Sequence, residues 1–314
     1  MRTLRAALLA ALLLAPPSAA QAPSGKLVVF NAGSLAYPFR EMLAEFARRH
    51  PRVEPQQESS GSLEAARKLT ELSKIPDVLG VADYAVIEQL LKPAFTDWYA
   101  VFASNAMVLA YTERSAAAAE ITGENWWRIL LRPSVRWGHS NPALDPNGYR
   151  TQLVFQLAER HYREPGLAAR LRAAVRKEFI RPSEAQLVGL LQAGELDYAW
   201  SYRSLAQTAG LKWVELPQAV DLSDPARAAA YAVARVRLPG PRLGGADSVE
   251  FRGEPILYAL TIPRAAPHPE VAREFVRFVF SPAGQAILRR SGFILMAGPR
   301  FTGSAPPVIP PPLD

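Results

Sequence analysis

Cysteine is absent from this 314-residue sequence. Its absence excludes a disulfide scaffold, a thiol nucleophile, an iron–sulfur cluster, cysteine-ligated zinc and a cysteine-linked lipid anchor. Histidine is scarce, and His50, His139, His161 and His268 are not spaced as metal ligands. Long apolar runs are lacking too. The longest, Ala6 to Ala15, is half the ~20 residues that a bilayer-spanning helix needs. Acidic residues are outnumbered, 29 against 36 Lys plus Arg, for a formal charge of +7. What remains is ordinary globular material, 49% hydrophobic and 21% charged. The length fits two domains at about 150 residues each.

The first residues follow the grammar of an export signal. Arg2 and Arg5 precede the apolar run, Pro16-Pro17 breaks it, and Ser18-Ala19-Ala20 supplies small residues for cleavage. Removal of residues 1–20 is expected, with Gln21 as the mature start. With no cysteine to lipidate, the expected location is a periplasm. Without Arg2 and Arg5 the balance is 34 cations against 29 acids, or +5. The cations are scattered among acids on helical stretches. The densest group, Arg170, Arg172, Arg176 and Lys177, has no interleaved aromatics. No nucleic-acid partner is expected.

The mature chain alternates strand and helix signals. Lys26 to Phe30 (KLVVF) reads as a buried strand that ends in Asn31-Ala32-Gly33-Ser34. Phe39, Met42, Leu43, Phe46 and Ala47 then form the stripe of an amphipathic helix. The pattern repeats at Ser59-Ser60-Gly61-Ser62, ahead of Leu63, Ala66, Leu69 and Leu72, and at Asp77 to Val81, ahead of a helix that Asp83 can cap. Ser140 to Arg150 (SNPALDPNGYR) reads as a loop opening a helix at about Thr151. Leu167 to Lys177 reads as helical, and Ser183 with Gln186 fits a capping box. Asp197 to Tyr202, Tyr231 to Val236 and Ile256 to Ile262 read as strands. The expected class is α/β with a largely parallel sheet. Residues 23–109 with 232–300 form one expected lobe and 110–231 the other, while 301–314 form a proline-rich tail.

Ser34 and Ser62 sit at helix starts beside glycines. Free N–H groups and the helix dipole attract anions there, a hydroxyl adds a donor, and glycine permits close approach. The competing reading is capping, which also covers Asp145 and Glu184.

Six motifs in order carry a resemblance that spans residues 27–293. They are Gly33-Ser34-Leu35; Ser60-Gly61-Ser62 with Ala66-Arg67-Lys68; DVLGVADY at 77–84; DPNGYR at 145–150; RPSE at 181–184; and Asp197-Tyr198-Ala199 with Tyr202-Arg203-Ser204. The segments FASNAMVLAYT at 102–112 and YALTIP at 258–263 belong with them. The chain resembles the tungstate/molybdate-binding proteins of ABC importers, in the branch first seen in archaea. The resemblance implies a type II periplasmic-binding-protein fold, with two lobes, a hinge and a ligand cleft between them. It implies an oxyanion set of Gly33, Ser34, Ser62, Asn147 and Tyr202, and coordination of the metal by Asp145 and Glu184. It also implies tungstate or molybdate as ligand with no cofactor, a membrane ABC permease as partner, a monomeric state and no catalysis. Two departures stand out: Asn147 takes the place of a cysteine found in several archaeal members, and the segment between Tyr162 and Arg181 is shorter.

Two acids beside an oxyanion should repel it, by about 4 kcal/mol per close pair at an effective dielectric constant of about 20. The conflict disappears if they approach the metal, because tungsten and molybdenum expand beyond four ligands and sulfur and phosphorus do not do so readily. The alternatives are a receptor for another oxyanion such as sulfate or phosphate, a ferric-iron receptor, and a glycosidase using Asp145 and Glu184. Tyr198 and Tyr202 would be the iron ligands, but four strand residues span about 13 Å.

Overall fold

The computed structural model describes residues 22–240 and 246–304. The expected signal, 1–20, and residues 305–314 of the expected tail lie outside them.

Strand β1 (Gly25–Ala32) runs through a short 3-10 turn, Gly33–Leu35, into α1 (Ala36–Arg49). The α1 stripe buries Phe39, Met42, Leu43 and Phe46. Phe39 and Phe46 meet Phe275 edge-on at 6.1 and 5.5 Å, and each such side chain contributes about 1.5–3 kcal/mol on burial. Then come β2 (Val53–Ser60), α2 (Ser62–Leu72), β3 (Val78–Val81), α3 (Tyr84–Leu90) and β4 (Trp98–Ser104). Asp83 caps α3 as the sequence indicates, accepting from Ala85 N at 3.0 Å.

Asn105 and Ala106 carry the chain into β5 (Met107–Tyr111) and the second lobe. There follow α4 (Trp126–Leu130), β6 (Trp137–Ser140), α5 (Pro146–His161), α6 (Leu167–Ala174), β7 (Ile180–Arg181), α7 (Glu184–Ala193), β8 (Tyr198–Tyr202), α8 (Arg203–Thr208) and β9 (Lys212–Glu215). The return passes through α9 (Ala228–Tyr231) and a hairpin, β10 (Arg235–Pro239) and β11 (Ser248–Arg252). It ends in β12 (Leu257–Thr261), α10 (Pro269–Phe280), α11 (Pro282–Arg290) and β13 (Ile294–Gly303). The two crossings lie side by side: Met107 N donates to Asp221 O at 2.9 Å and Ile256 N to Leu222 O at 2.8 Å.

One sheet has the order β13-β4-β12-β3-β1-β2 and the other β7-β6-β8-β5-β9. Both are mixed, against the expected largely parallel sheet. β1 is parallel to β2 and β3, and β6 to β7 and β8. β12, arriving from the other lobe, enters antiparallel to β3 and β4, β13 follows it after α10 and α11 and is antiparallel to β4, and β5 is antiparallel to β8 and β9. The β10–β11 hairpin joins neither sheet. It leans on both lobes, with Phe251 stacked on Tyr149 of α5 at 4.7 Å and Glu250 O accepting from Gln89 of α3.

Four local expectations change. Helix α5 starts at Pro146, because Asp145 caps it and proline suits the first helical position. α6 stops at Ala174, where Val175 turns extended. Tyr231 ends a short helix, and the strand begins only at Arg235. Phe301 to Gly303, assigned to the tail, pair with Trp98 to Ala100 at the edge of the first sheet.

Candidate functional site

Four helix starts meet between the two sheets. Gly61 allows it, whereas Gly33 marks how near the lobes come. A methyl group on Gly33 would stand 3.6 Å from Ala185 Cβ, in α7 of the other lobe. A methyl on Gly61 would stand 2.2 Å from Leu144 O and 3.0 Å from Asp145 Cβ. The 3-10 turn at Gly33, α2 and α7 therefore converge with α5, and the lobes are closed on one another. Glu64 N reinforces this by donating to Leu144 O across the interface at 3.0 Å.

Three of these starts have no side-chain cap: the turn at Gly33, α2 at Ser62 and α7 at Glu184. Ser34 and Ser62, for which capping was the competing reading, do not cap. Ser183, expected in a capping box, occupies the cap position without a side-chain bond. The positive dipole ends of these starts face a shared space, with the Glu184 N–H of α7 taken by the Asp145 carboxylate and the Glu64 N–H of α2 by Leu144 O. Only Asp145 caps, accepting from Asn147 N at 3.0 Å.

The side chains add donors in a consistent way. Ser62 Oγ accepts from Ala82 N at 3.0 Å, so its own proton is left to donate. Tyr202 Oη accepts from Arg150 Nη1 at 2.8 Å, with the same result. Burial pushes the Tyr202 hydroxyl well above the usual phenol range, so it keeps that proton. Ser34 Oγ and Tyr258 Oη share one hydrogen bond at 2.8 Å, and Tyr258 also accepts from Asn105 Nδ2 at 3.3 Å. One proton of the Ser34–Tyr258 pair is therefore spare. Asn147 is fully buried, accepts from Ser140 Oγ at 3.3 Å, and has no partner for Nδ2. A buried unpaired N–H costs about 1–3 kcal/mol, and an anion would satisfy it.

The carboxylates differ from each other. Asp145 uses both oxygens, the second accepting from Glu184 N at 2.9 Å. Burial pushes it up to about 6, against the pull of those N–H groups. Glu184 Oε1 accepts from Ser201 Oγ at 2.6 Å and Tyr202 N at 2.5 Å. Its Oε2 accepts no hydrogen bond from the described residues. Burial first, and the Asp145 charge second, push Glu184 well above the usual carboxylate range. Among the described residues no group of three or more His, Cys, Asp or Glu is placed to hold a metal ion alone.

All seven residues singled out in the sequence, Gly33, Ser34, Ser62, Asp145, Asn147, Glu184 and Tyr202, belong to this one cluster. Sequence reasoning left out Arg150, Tyr258, Asn105 and Asp83. All four lie in the quoted motifs, but starting α5 at Thr151 put Arg150 in a loop, and Asp83 was read only as a cap. Tyr258 enters through a strand that returns from the other lobe.

Residues 27–294 match the family model described as bacterial extracellular solute-binding protein. The chain is 35% identical over 309 residues to the molybdate/tungstate-binding protein WtpA of Pyrococcus abyssi, covering 90% of this chain and 88% of that protein. Among solved structures it is similar to the periplasmic molybdate-binding protein of Azotobacter vinelandii. There the TM-score is 0.54 at 18% identity, covering 86% of this chain and 99% of that one. It is also similar to the sulfate-binding protein SubI of Mycobacterium tuberculosis, with a TM-score of 0.59 at 13% identity, covering 90% and 88%. At those identities the two structures speak for the fold and not for the ligand.

Proposed function

The chain belongs to the family of bacterial extracellular solute-binding proteins, and on that premise we propose that its closed cleft takes up tungstate or molybdate for delivery to an ABC permease. The observation that carries this reading is the meeting of four buried helix starts with hydroxyl and amide donors, on Ser62, Tyr202 and Asn147, whose protons have no acceptor among the described residues. Such a site offers several buried N–H and O–H groups, which suits a small tetrahedral oxyanion. The 35% identity to the molybdate/tungstate-binding protein of Pyrococcus abyssi supports the choice among oxyanions.

Gly33, Ser34, Ser62, Asn147 and Tyr202 are the proposed oxyanion contacts. Glu184, whose Oε2 has no hydrogen-bond partner among the described residues, is the proposed carboxylate ligand to the metal, with Asp145 beside it. A carboxylate in a sulfate site would be a liability, whereas a metal that expands its coordination turns it into a filter. In this reading the protein is a non-catalytic, monomeric periplasmic receptor without a cofactor. No helix of the described residues is long and apolar enough to cross a membrane. Closure is a population shift, driven by contacts the ligand makes to both lobes at once.

Titration calorimetry with tungstate, molybdate, sulfate and phosphate tests the proposal. The expected result is micromolar or tighter binding of tungstate or molybdate and weaker binding of the other two. Tight sulfate or phosphate binding without either metal oxyanion would overturn it.

A further inference from the structure

Arg150 touches both lobes and a candidate ligand hydroxyl at once. It lies on α5 of the second lobe and is 2% exposed. Nη1 has two hydrogens, and both are used: one on Ala82 O of the first lobe at 2.7 Å, the other on Tyr202 Oη at 2.8 Å. Nη2 pairs with the Asp83 carboxylate of the first lobe at 2.9 Å. Tyr149, the preceding residue, donates to the same carboxylate at 2.5 Å. The residue that accepts from Arg150 is tied to the other side of the site as well, since Ala82 N donates to Ser62 Oγ.

We propose that Arg150 is a positioning residue that aims the Tyr202 hydroxyl at the anion only while the lobes are closed. The inference rests on the reading of Tyr202 as an anion contact. Its physical basis is the division of labour within the guanidinium. The bond to Tyr202 occupies the lone pair of Oη and sends the hydroxyl proton elsewhere. The bonds to Ala82 O and Asp83 hold the guanidinium plane, and both acceptors belong to the opposite lobe. When the lobes separate, Arg150 loses its only carboxylate partner among the described residues and the plane is released. A buried guanidinium without its counter-charge is strongly disfavoured, so opening also disorders the donor that the anion needs. Lysine carries the same charge but lacks the rigid fork that reaches three acceptors together.

A double-mutant cycle tests the proposal: calorimetric tungstate affinity of the wild type, Arg150→Lys, Tyr202→Phe and the double variant. Each single change is expected to weaken binding about tenfold to a hundredfold, the range for a hydrogen bond involving a charged group. If Arg150 acts through Tyr202, the double variant binds within about twofold of Tyr202→Phe alone. Small-angle scattering at saturating tungstate supplies a second readout. All four proteins should close alike there, so that the affinity lost in Arg150→Lys reads the aim of the Tyr202 hydroxyl and not the lobe equilibrium. Losses that multiply in the double variant, or an Arg150→Lys protein that stays more open than the wild type at saturation, overturn the positioning role while leaving the receptor function intact. A wild type that binds neither tungstate nor molybdate overturns the function itself, and the positioning role with it. If Arg150→Lys fails to fold, Asp83→Asn replaces it. That change keeps an oxygen to cap α3, removes the counter-charge, and should show the same non-additivity with Tyr202→Phe.

Discussion

Asn147 offers the sharpest test of where the anion sits. Its Nδ2 is a buried donor without an acceptor, its Oδ1 receives only a long bond from Ser140, and its backbone N is held separately by Asp145. Asn147→Ala therefore removes a donor that the ligand-free fold does not use. A hydrogen bond to an anion is worth about 1.5–3 kcal/mol, so the dissociation constant should rise about 10- to 150-fold. Ligand-free stability should move by no more than about 1 kcal/mol, because losing the Ser140 bond is offset by losing an unpaired N–H. Asn147→Asp replaces the donor with a carboxylate of nearly equal size. At 4 Å and an effective dielectric constant of about 20, each pair of unit charges adds about 4 kcal/mol, a further thousandfold or so. Calorimetry with molybdate measures both variants, and urea unfolding of the empty proteins measures the stability arm. Full affinity in Asn147→Ala would refute the placement of the anion, and equal affinities in the two variants would refute the electrostatic argument.

Other expectations follow from the same geometry. Gly61→Ala puts a methyl 2.2 Å from Leu144 O and should block closure, at a cost of about 1–3 kcal/mol to the closed state. Gly33→Ala makes an ordinary 3.6 Å contact and should bind almost as the wild type does, by calorimetry and scattering alike. Glu184→Gln keeps an Oε1 for Ser201 and Tyr202 N but replaces Oε2 with an amide. Tungstate affinity should fall, preference over sulfate should narrow, and the empty protein should become more stable at pH 8 because a disfavoured buried acid is gone; unchanged tungstate affinity would rule out coordination by this residue. Asp145, raised from 3.8 to about 6, favours the fold while protonated. Its contribution of ~3 kcal/mol is fully present below about pH 4 and lost as pH rises through 6. Urea unfolding at pH 4.5 and 7.5 should show that loss in the wild type and not in Asp145→Asn, and equal pH dependence in the two proteins would refute the assignment.

Local signals were legible in the sequence where one element dictates them. The α1 stripe needs only a 3.6-residue period, and the Asp83 cap needs only a short polar residue before an apolar helix. The site residues were legible because most of them mark strand-to-helix junctions, where serine, glycine and acid stand out. The choice between capping and binding was not legible. Ser62 spares its proton because Ala82, twenty residues on, supplies the N–H that occupies its lone pair. Sheet direction was hidden for a similar reason: β12 reads as an ordinary apolar strand, and only its return from the other lobe makes it antiparallel. The start of α5 had a local signal, Asp145 followed by Pro146, which the turn-rich look of the loop masked.

The short crossing between the sheets also sets the mechanics of the receptor. Asn105 sits in that crossing, and through Tyr258 it is two hydrogen bonds from Ser34. The proposed anion thus lies beside the fulcrum of a pair of levers. A rotation there moves the atoms nearest the anion through short arcs and the far rims of both lobes through long ones. A few ångströms of contact around a small ion become a large change of outline at the rims, where a membrane partner can feel whether the receptor is loaded.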